Sequence, residues 1–209
     1  MKEIAKALLK IRAVALSPEK PFTWASGIKS PIYCDNRLLL SFKEEREITL
    51  HEMVRVIKEK FPEAECLMGT ATAGIPHAAI AAWEMGIPMG FVRGKAKDHG
   101  KENRIEGKVF PGMKTVVIED LISTAGSSVD CVTALRDAGC DVLGIVSIFT
   151  YNLEKGIQTL EKNNVVNVSL TDFDELIEAA IEENYIEKES FEKLMQWKKD
   201  PSDESWMAK

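Results

Sequence analysis

The sequence predicts an α/β fold, built on a mostly parallel central sheet with helices on both faces. Three observations predict it. From Cys66 onward, short apolar runs alternate with segments of helical length. Those runs are nearly continuous in Val, Ile and Leu, as strands buried on both faces are. They end in loops rich in Gly, Ser, Thr or Lys, and in such sheets ligands bind at the carboxyl ends of the strands. The 209 residues suffice for one domain of this kind.

The elements follow in order. Lys2 to Val14 reads as a helix, with Ile4, Ala7, Leu8 and Ile11 on one face, and "SPEKP" ends it. "FTWASGIKSPIYCD" reads as two short extended pieces around Ser26-Gly27 and Lys29. "SFKEEREITLHEMVRVIKEKFP" is a helix, with Ser41 and Glu44 at capping-box spacing and Pro62 as its stop. "CLMGT" is a strand, "ATAG" a loop, and "IPHAAIAAWEMG" a helix with Pro76 near its first turn and Gly86 past its end. "IPMGFVR" is a strand and "GKAKDHGKENRIEGKVFPG" a long charged connection. "KTVVIED" is a strand, "LISTAGS" a loop, and "SVDCVTALRDAG" a helix closed by Gly139. "DVLGIVSIFTY" is a strand, followed by a polar helix near Leu153 to Lys162 and a strand "VVNVSL". Helices around Asp174 to Glu183 and Glu189 to Lys199 complete the chain. Their opposite charges at i,i+4 and their apolar stripes mark solvated helices that cover the sheet or meet a subunit. The layout is one domain over 1–209: an amino-terminal region to about residue 40, a core sheet over about 62–172, and carboxy-terminal helices over about 173–209.

Composition excludes several classes. At 45% hydrophobic and 29% charged residues the chain is globular, and its net charge of -6 argues against a nucleic-acid partner. Lys6, Lys10 and Arg12 interrupt the apolar residues of the amino terminus, so it reads neither as a leader nor as a membrane segment. Cys34, Cys66, Cys131 and Cys140 lie far apart, with no metal-ligand spacing. They read as reduced thiols in a cytoplasmic protein, and no metal site made by protein ligands is expected.

The chemistry gathers in "VVIEDLISTAGSS", Val116 to Ser128. A buried strand delivers Glu119 and Asp120 to the mouth of a loop of small and hydroxyl-bearing residues that enters a helix. Such a loop cradles a phosphate monoester, because backbone amides approach closely and the helix terminus is partly positive. Carboxylates would repel that phosphate, so they have another partner: vicinal sugar hydroxyls, or a Mg2+ shell. The combination points to a ribose phosphate. Neither GxxxxGK[ST] nor GxGxxG occurs.

This stretch resembles the thirteen-residue phosphoribosyl-diphosphate (PRPP) motif of type I phosphoribosyltransferases. "RGKAKDHG" resembles the catalytic loop of the orotate phosphoribosyltransferases. "FTWASGIKSPIYCDNR" resembles that family's amino-terminal segment, and "MGTATAGIP" its diphosphate loop. The resemblance implies the type I fold, with the amino-terminal region as a small hood over the base site, and a homodimer with shared active sites. It implies orotate and PRPP as substrates, with Mg2+ bound through the PRPP diphosphate. Carried over by position, Arg93, Lys97 and His99 would contact the diphosphate, with Lys97 as the catalytic lysine. Thr70, Ala71 and Thr72 would form the diphosphate loop. Glu119 and Asp120 would hold the ribose hydroxyls, and Thr124, Ala125, Gly126 and Ser127 the 5-phosphate. Ser123, Ser26, Lys29 and Tyr33 would meet orotate. Some members carry cations where this chain has Ala25, Ala73 and Gly94. The orotate carboxylate is thereby left to Lys29, Arg37 or backbone amides. A purine-base phosphoribosyltransferase and a PRPP-sensing regulator of the same fold are the competing readings. His51 and His77 are expected at surface or capping positions, and Trp83 in packing. Trp24 and Tyr33 flank the base pocket.

Overall fold

The computed structural model describes residues 2–24, 26–94 and 104–208. Its elements begin with α1 (Lys2–Lys10), β1 (Val14–Leu16), β2 (Phe22–Thr23), β3 (Lys29–Ser30) and β4 (Ile32–Cys34). After a 3-10 turn over Asn36–Ser41 come α2 (Lys43–Lys60), β5 (Cys66–Thr70), α3 (Gly74–Met85), β6 (Met89–Val92) and β7 (Ile105–Glu106). Then follow β8 (Lys114–Ile122), α4 (Gly126–Asp137), β9 (Asp141–Thr150), α5 (Glu154–Lys162), β10 (Asn167–Asp172), α6 (Phe173–Glu182) and α7 (Ser190–Lys199).

The six-stranded sheet has the order β10-β9-β8-β5-β6-β7. Every neighbouring pair is parallel except β6 with the short edge strand β7. From β5 the chain moves outward through β6 to β7, then returns to place β8 on the other side of β5. That reversal opens a crevice above the carboxyl ends of β5 and β8.

Side-chain alternation divides the core between the two faces of the sheet. Val116, Ile118 and Leu67 pack on one face with α1, α2, α3 and α6. Val117, Cys66 and Met68 pack on the other with α4. The amino-terminal strands form two small antiparallel ribbons, β1 with β4 and β2 with β3. An aromatic cluster fixes them to the carboxy-terminal helices. The Trp24 ring lies 5.6 Å from Trp197, edge to face, and 5.4 Å from Tyr151. Trp197 Nε1 donates to the Lys29 carbonyl at 3.1 Å. Among the described residues no helix is long and apolar enough to cross a membrane.

Several expectations are corrected. The first helix stops at Lys10, because Arg12 has positive φ and the chain turns into β1. The capping box does not form: Ser41 ends the 3-10 turn, and Phe42 caps α2 without a side-chain hydrogen bond. The strand beginning at Lys114 runs past Asp120 to Ile122. Trp83 is 88% exposed and supports no core, while His77 is fully buried. On α3 the buried positions are Gly74, His77, Ala78, Ala81 and Ala82, one helical stripe that includes His77 and leaves Trp83 outside.

Candidate functional site

Three short loops meet above the crevice. The first is 70–73, between β5 and α3. The Ala71 amide donates to the Val92 carbonyl at 3.0 Å, and the peptide between Ala71 and Thr72 is cis. Gly74 begins α3 there because nothing larger fits: a Cβ would stand 2.4 Å from the Ile118 carbonyl oxygen.

The second element is the end of β8, where the two acids differ. Glu119 is buried and tied down. Its Oε1 accepts from Thr70 Oγ1 at 2.7 Å and from the Asp120 amide at 3.0 Å, and its Oε2 accepts from Ser128 Oγ at 2.8 Å. Burial raises its pKa to about 7, and the neighbouring Asp120 acts in the same direction; the Thr70 and Ser128 hydroxyls oppose them. Asp120 is half-buried on the other face of the strand, and fully buried Asn36 holds its carbonyl, with Nδ2 donating at 2.7 Å. Thus Asp120 has its carboxylate available to a ligand, while Glu119 already receives three protein donors.

The third element is 123–125, leading into α4. Ala125 adopts a left-handed conformation at φ 60°, and the first helical bond runs from the Val129 amide to its carbonyl at 3.0 Å. The amides of Gly126, Ser127 and Ser128 are first-turn donors without a helical acceptor, an anion cradle of ordinary kind. The helix α5 presses on this loop at Gly156, where a Cβ would meet the Ser123 carbonyl oxygen at 2.4 Å.

Adjoining cavities surround these loops. One of about 230 Å³ is walled by Thr70, Thr72, Arg93, Glu119, Asp120 and Ser127, among others. A second, of about 390 Å³, lies between Trp24, Tyr33, Cys34, Leu121, Ser123 and Tyr151, with Thr23 completing its wall. A third, of about 320 Å³, joins Cys34, Asp35 and Arg37 to Thr72 and Asp120. Thr124 faces a further cavity, of about 520 Å³, beside Lys155 and Lys199. Ser26 is exposed in the ribbon turn. Lys29 is half-buried, and its Nζ donates to Thr23 Oγ1 at 2.8 Å.

Thr70, Ala71, Thr72, Arg93, Glu119, Asp120 and Ser127 therefore wall one cavity, Tyr33 and Ser123 the next, and Thr124 another, while Ser26 and Lys29 line none of these. Lys97 and His99 lie outside the described residues. Sequence reasoning gave no specific role to Ser128, Asn36 or Arg104. Arg104 Nε donates to the Arg93 carbonyl at 2.9 Å, and its guanidinium also forks onto the Asp130 carboxylate, with Nη1 2.9 Å from Oδ1. It thus ties Arg93 and Arg104 to α4 through Asp130. His77, in the core beside this site, has neither ring nitrogen hydrogen-bonded, and burial lowers its pKa to about 4. The four cysteines are free thiols, and burial pushes Cys131 up to about 12 and Cys34 well above its ordinary value, so neither is a ready nucleophile. Among the described residues no group of three or more His, Cys, Asp or Glu is placed to hold a metal ion by itself.

No protein-family model matches the chain. It is 56% identical over 207 residues to a Bacillus cereus orotate phosphoribosyltransferase, covering 99% of both chains. Its fold is similar to the crystal structure of an Aeropyrum pernix orotate phosphoribosyltransferase, with a TM-score of 0.75 and 28% identity over 84% of this chain and 96% of that one. It also resembles a Leishmania donovani UMP synthase, with a TM-score of 0.76 and 25% identity over 94% of this chain and 42% of that one.

Proposed function

This chain belongs to the orotate phosphoribosyltransferase family, and we propose how its residues divide the work of that reaction. The reaction moves ribose 5-phosphate from PRPP to a ring nitrogen of orotate. A bond from C1 of the ribose to N1 forms, the bond from C1 to the diphosphate oxygen breaks, and orotidine 5′-phosphate and diphosphate leave. It is a step of pyrimidine nucleotide synthesis. The observation that carries the assignment is the juxtaposition at β8: a ligand-facing Asp120 beside the amide cradle of α4. One ligand presenting both a phosphate and vicinal hydroxyls satisfies both.

In this reading the 5-phosphate rests on Thr124, Ala125, Gly126 and Ser127. The ribose hydroxyls donate to Asp120, and Glu119, held between Thr70 and Ser128, sets the wall behind them. The diphosphate lies against Thr70, Ala71 and Thr72, with Arg93. Mg2+ arrives on PRPP as part of the substrate. It is a hard cation suited to phosphate oxygens and one or two carboxylates, and Asp120 fits that donor set. Orotate occupies the 390 Å³ cavity under the hood, between Tyr33 and Ser123, with Lys29 and Ser26 on the ribbon nearby. The transition state separates a cationic ribose from a leaving polyanion. Arg93, Lys97 and His99 stabilise the departing charge, and closing off water protects PRPP from hydrolysis.

The chain works as one domain in a cytoplasmic homodimer, its site completed by Lys97 and His99 of the partner subunit. The four free thiols support the compartment. Exposed Trp83 beside Ile80, one turn earlier on α3, supports a protein-facing surface. Mixing a Lys97→Ala variant with an Asp120→Asn variant tests the sharing. Orotate turnover well above the sum of the two variants assayed alone is expected. No restoration after subunit exchange places each site within one chain.

A further inference from the structure

We infer that Lys29, held in readiness by Thr23, is the cation that selects a base bearing a carboxylate. The inference rests on the orotate reading and deepens it at one wall of the base cavity. That cavity is walled by Trp24, Tyr33, Cys34, Leu121, Ser123 and Tyr151 together with Thr23, and none of these side chains is charged at neutral pH. An anionic base placed there needs a cation from just behind the wall. The need is sharpened because orotate carries its carboxylate on the carbon next to the reacting nitrogen, so it enters close to Asp120, which borders both adjoining cavities.

Lys155 and Lys199 line the neighbouring cavity on the far side of Trp24, which leaves Arg37 and Lys29 to compare. Arg37 is already engaged: Nε lies 2.6 Å from Asp35 Oδ1 and Nη2 2.8 Å from Oδ2. Its charge is matched by a carboxylate, and releasing it would leave Asp35 unpaired. Lys29 differs. Thr23 and Lys29 face each other across the β2–β3 ribbon, and the ammonium rests 2.8 Å from the Thr23 hydroxyl that walls the cavity. Among the described residues it has no carboxylate partner. A hydroxyl is a weak acceptor that a carboxylate displaces without leaving a buried charge behind. The ribbon beneath it is fixed, because Trp197 Nε1 holds the Lys29 carbonyl at 3.1 Å and Trp24 packs on Trp197. The backbone is therefore set, and only the four-carbon stem turns.

The test compares orotate with uracil, the same ring without the carboxylate, in the full-length enzyme. Lys29→Met is expected to raise the orotate KM by about 10- to 100-fold, the scale of one lost charge-assisted hydrogen bond. The PRPP KM and the use of uracil should stay near parent values, so the orotate-over-uracil ratio of kcat/KM collapses. Lys29→Arg should restore much of it. PRPP affinity measured by titration shows that the site of each variant is intact. An orotate KM and an orotate-to-uracil ratio unchanged in Lys29→Met overturn the inference, as does the same loss appearing in Arg37→Met instead. If the parent enzyme itself fails to use orotate, the family reading fails first and separately.

Discussion

The Thr70 hydroxyl donates to Glu119 Oε1 at 2.7 Å, tying the end of β5 to the end of β8 where the sheet reverses its winding. The two residues are far apart in sequence, yet they form one wall of the cavity assigned to PRPP. Replacing Thr70 with Val keeps the shape and removes the donor. A stability loss of about 1–3 kcal/mol is expected, with weaker PRPP binding. Urea denaturation and PRPP titration of the variant measure both. Parent values in both would show that the bond does not organise the site.

Stability against pH should carry two opposed signatures. Glu119 has its pKa raised from 4.5 to about 7, so the fold prefers its neutral form and loses stability as pH rises through that interval. His77 has its pKa lowered from 6.5 to about 4, so the fold loses stability as pH falls through that interval. In the parent the two offset each other between about pH 4.5 and 6.5. In Glu119→Gln the His77 contribution stands alone, and stability should rise with pH there, by at most about 1.4 kcal/mol per unit. Urea melts across that range decide it. A flat profile in the variant removes His77 as a titrating group.

Much of this was legible before any coordinates. The order of strands and helices from Cys66 onward follows from the apolar runs, except the two-residue edge strand β7, which lies inside the stretch read as a charged connection, and the phosphate cradle follows from the small residues after Ile122. What was not drawn from the sequence was available in its periodicity. Alternation along β8 puts Glu119 on the face of Val117, toward α4 and Ser128, and Asp120 on the face of Ile118, toward Asn36. The two adjacent acids therefore meet different protein partners, although both line the same cavity. Helical spacing likewise puts His77 on the buried stripe of α3 and Trp83 off it. The Asn36–Asp120 contact, between residues 84 apart, has no local signal. It exists only because the 3-10 turn after β4 folds over the end of β8.

Asp120→Asn should chiefly impair use of PRPP. If Asp120 accepts from the ribose hydroxyls as proposed, neutralising it weakens those bonds, and the KM for PRPP should rise about 10-fold or more, with a smaller change for orotate. Steady-state kinetics with each substrate varied separately make the comparison. An unchanged PRPP KM would transfer the ribose to other groups.

Lys97→Ala should leave the fold intact and lower kcat by about 100-fold or more, since the lost charge acts on the leaving diphosphate. Thermal melting alongside kcat separates the two effects. Parent-like turnover would remove the lysine from the chemistry.

The central claim is tested most directly by turnover itself. The parent protein is mixed with PRPP and Mg2+, and orotate, adenine and hypoxanthine are supplied in parallel. Loss of orotate absorbance is followed, and the nucleotide products are identified. The account predicts orotidine 5′-phosphate and diphosphate formed in equal amounts, dependent on Mg2+, with no purine nucleotide. Purine nucleotide formation without orotate turnover, or PRPP binding with no turnover of any base, would contradict it.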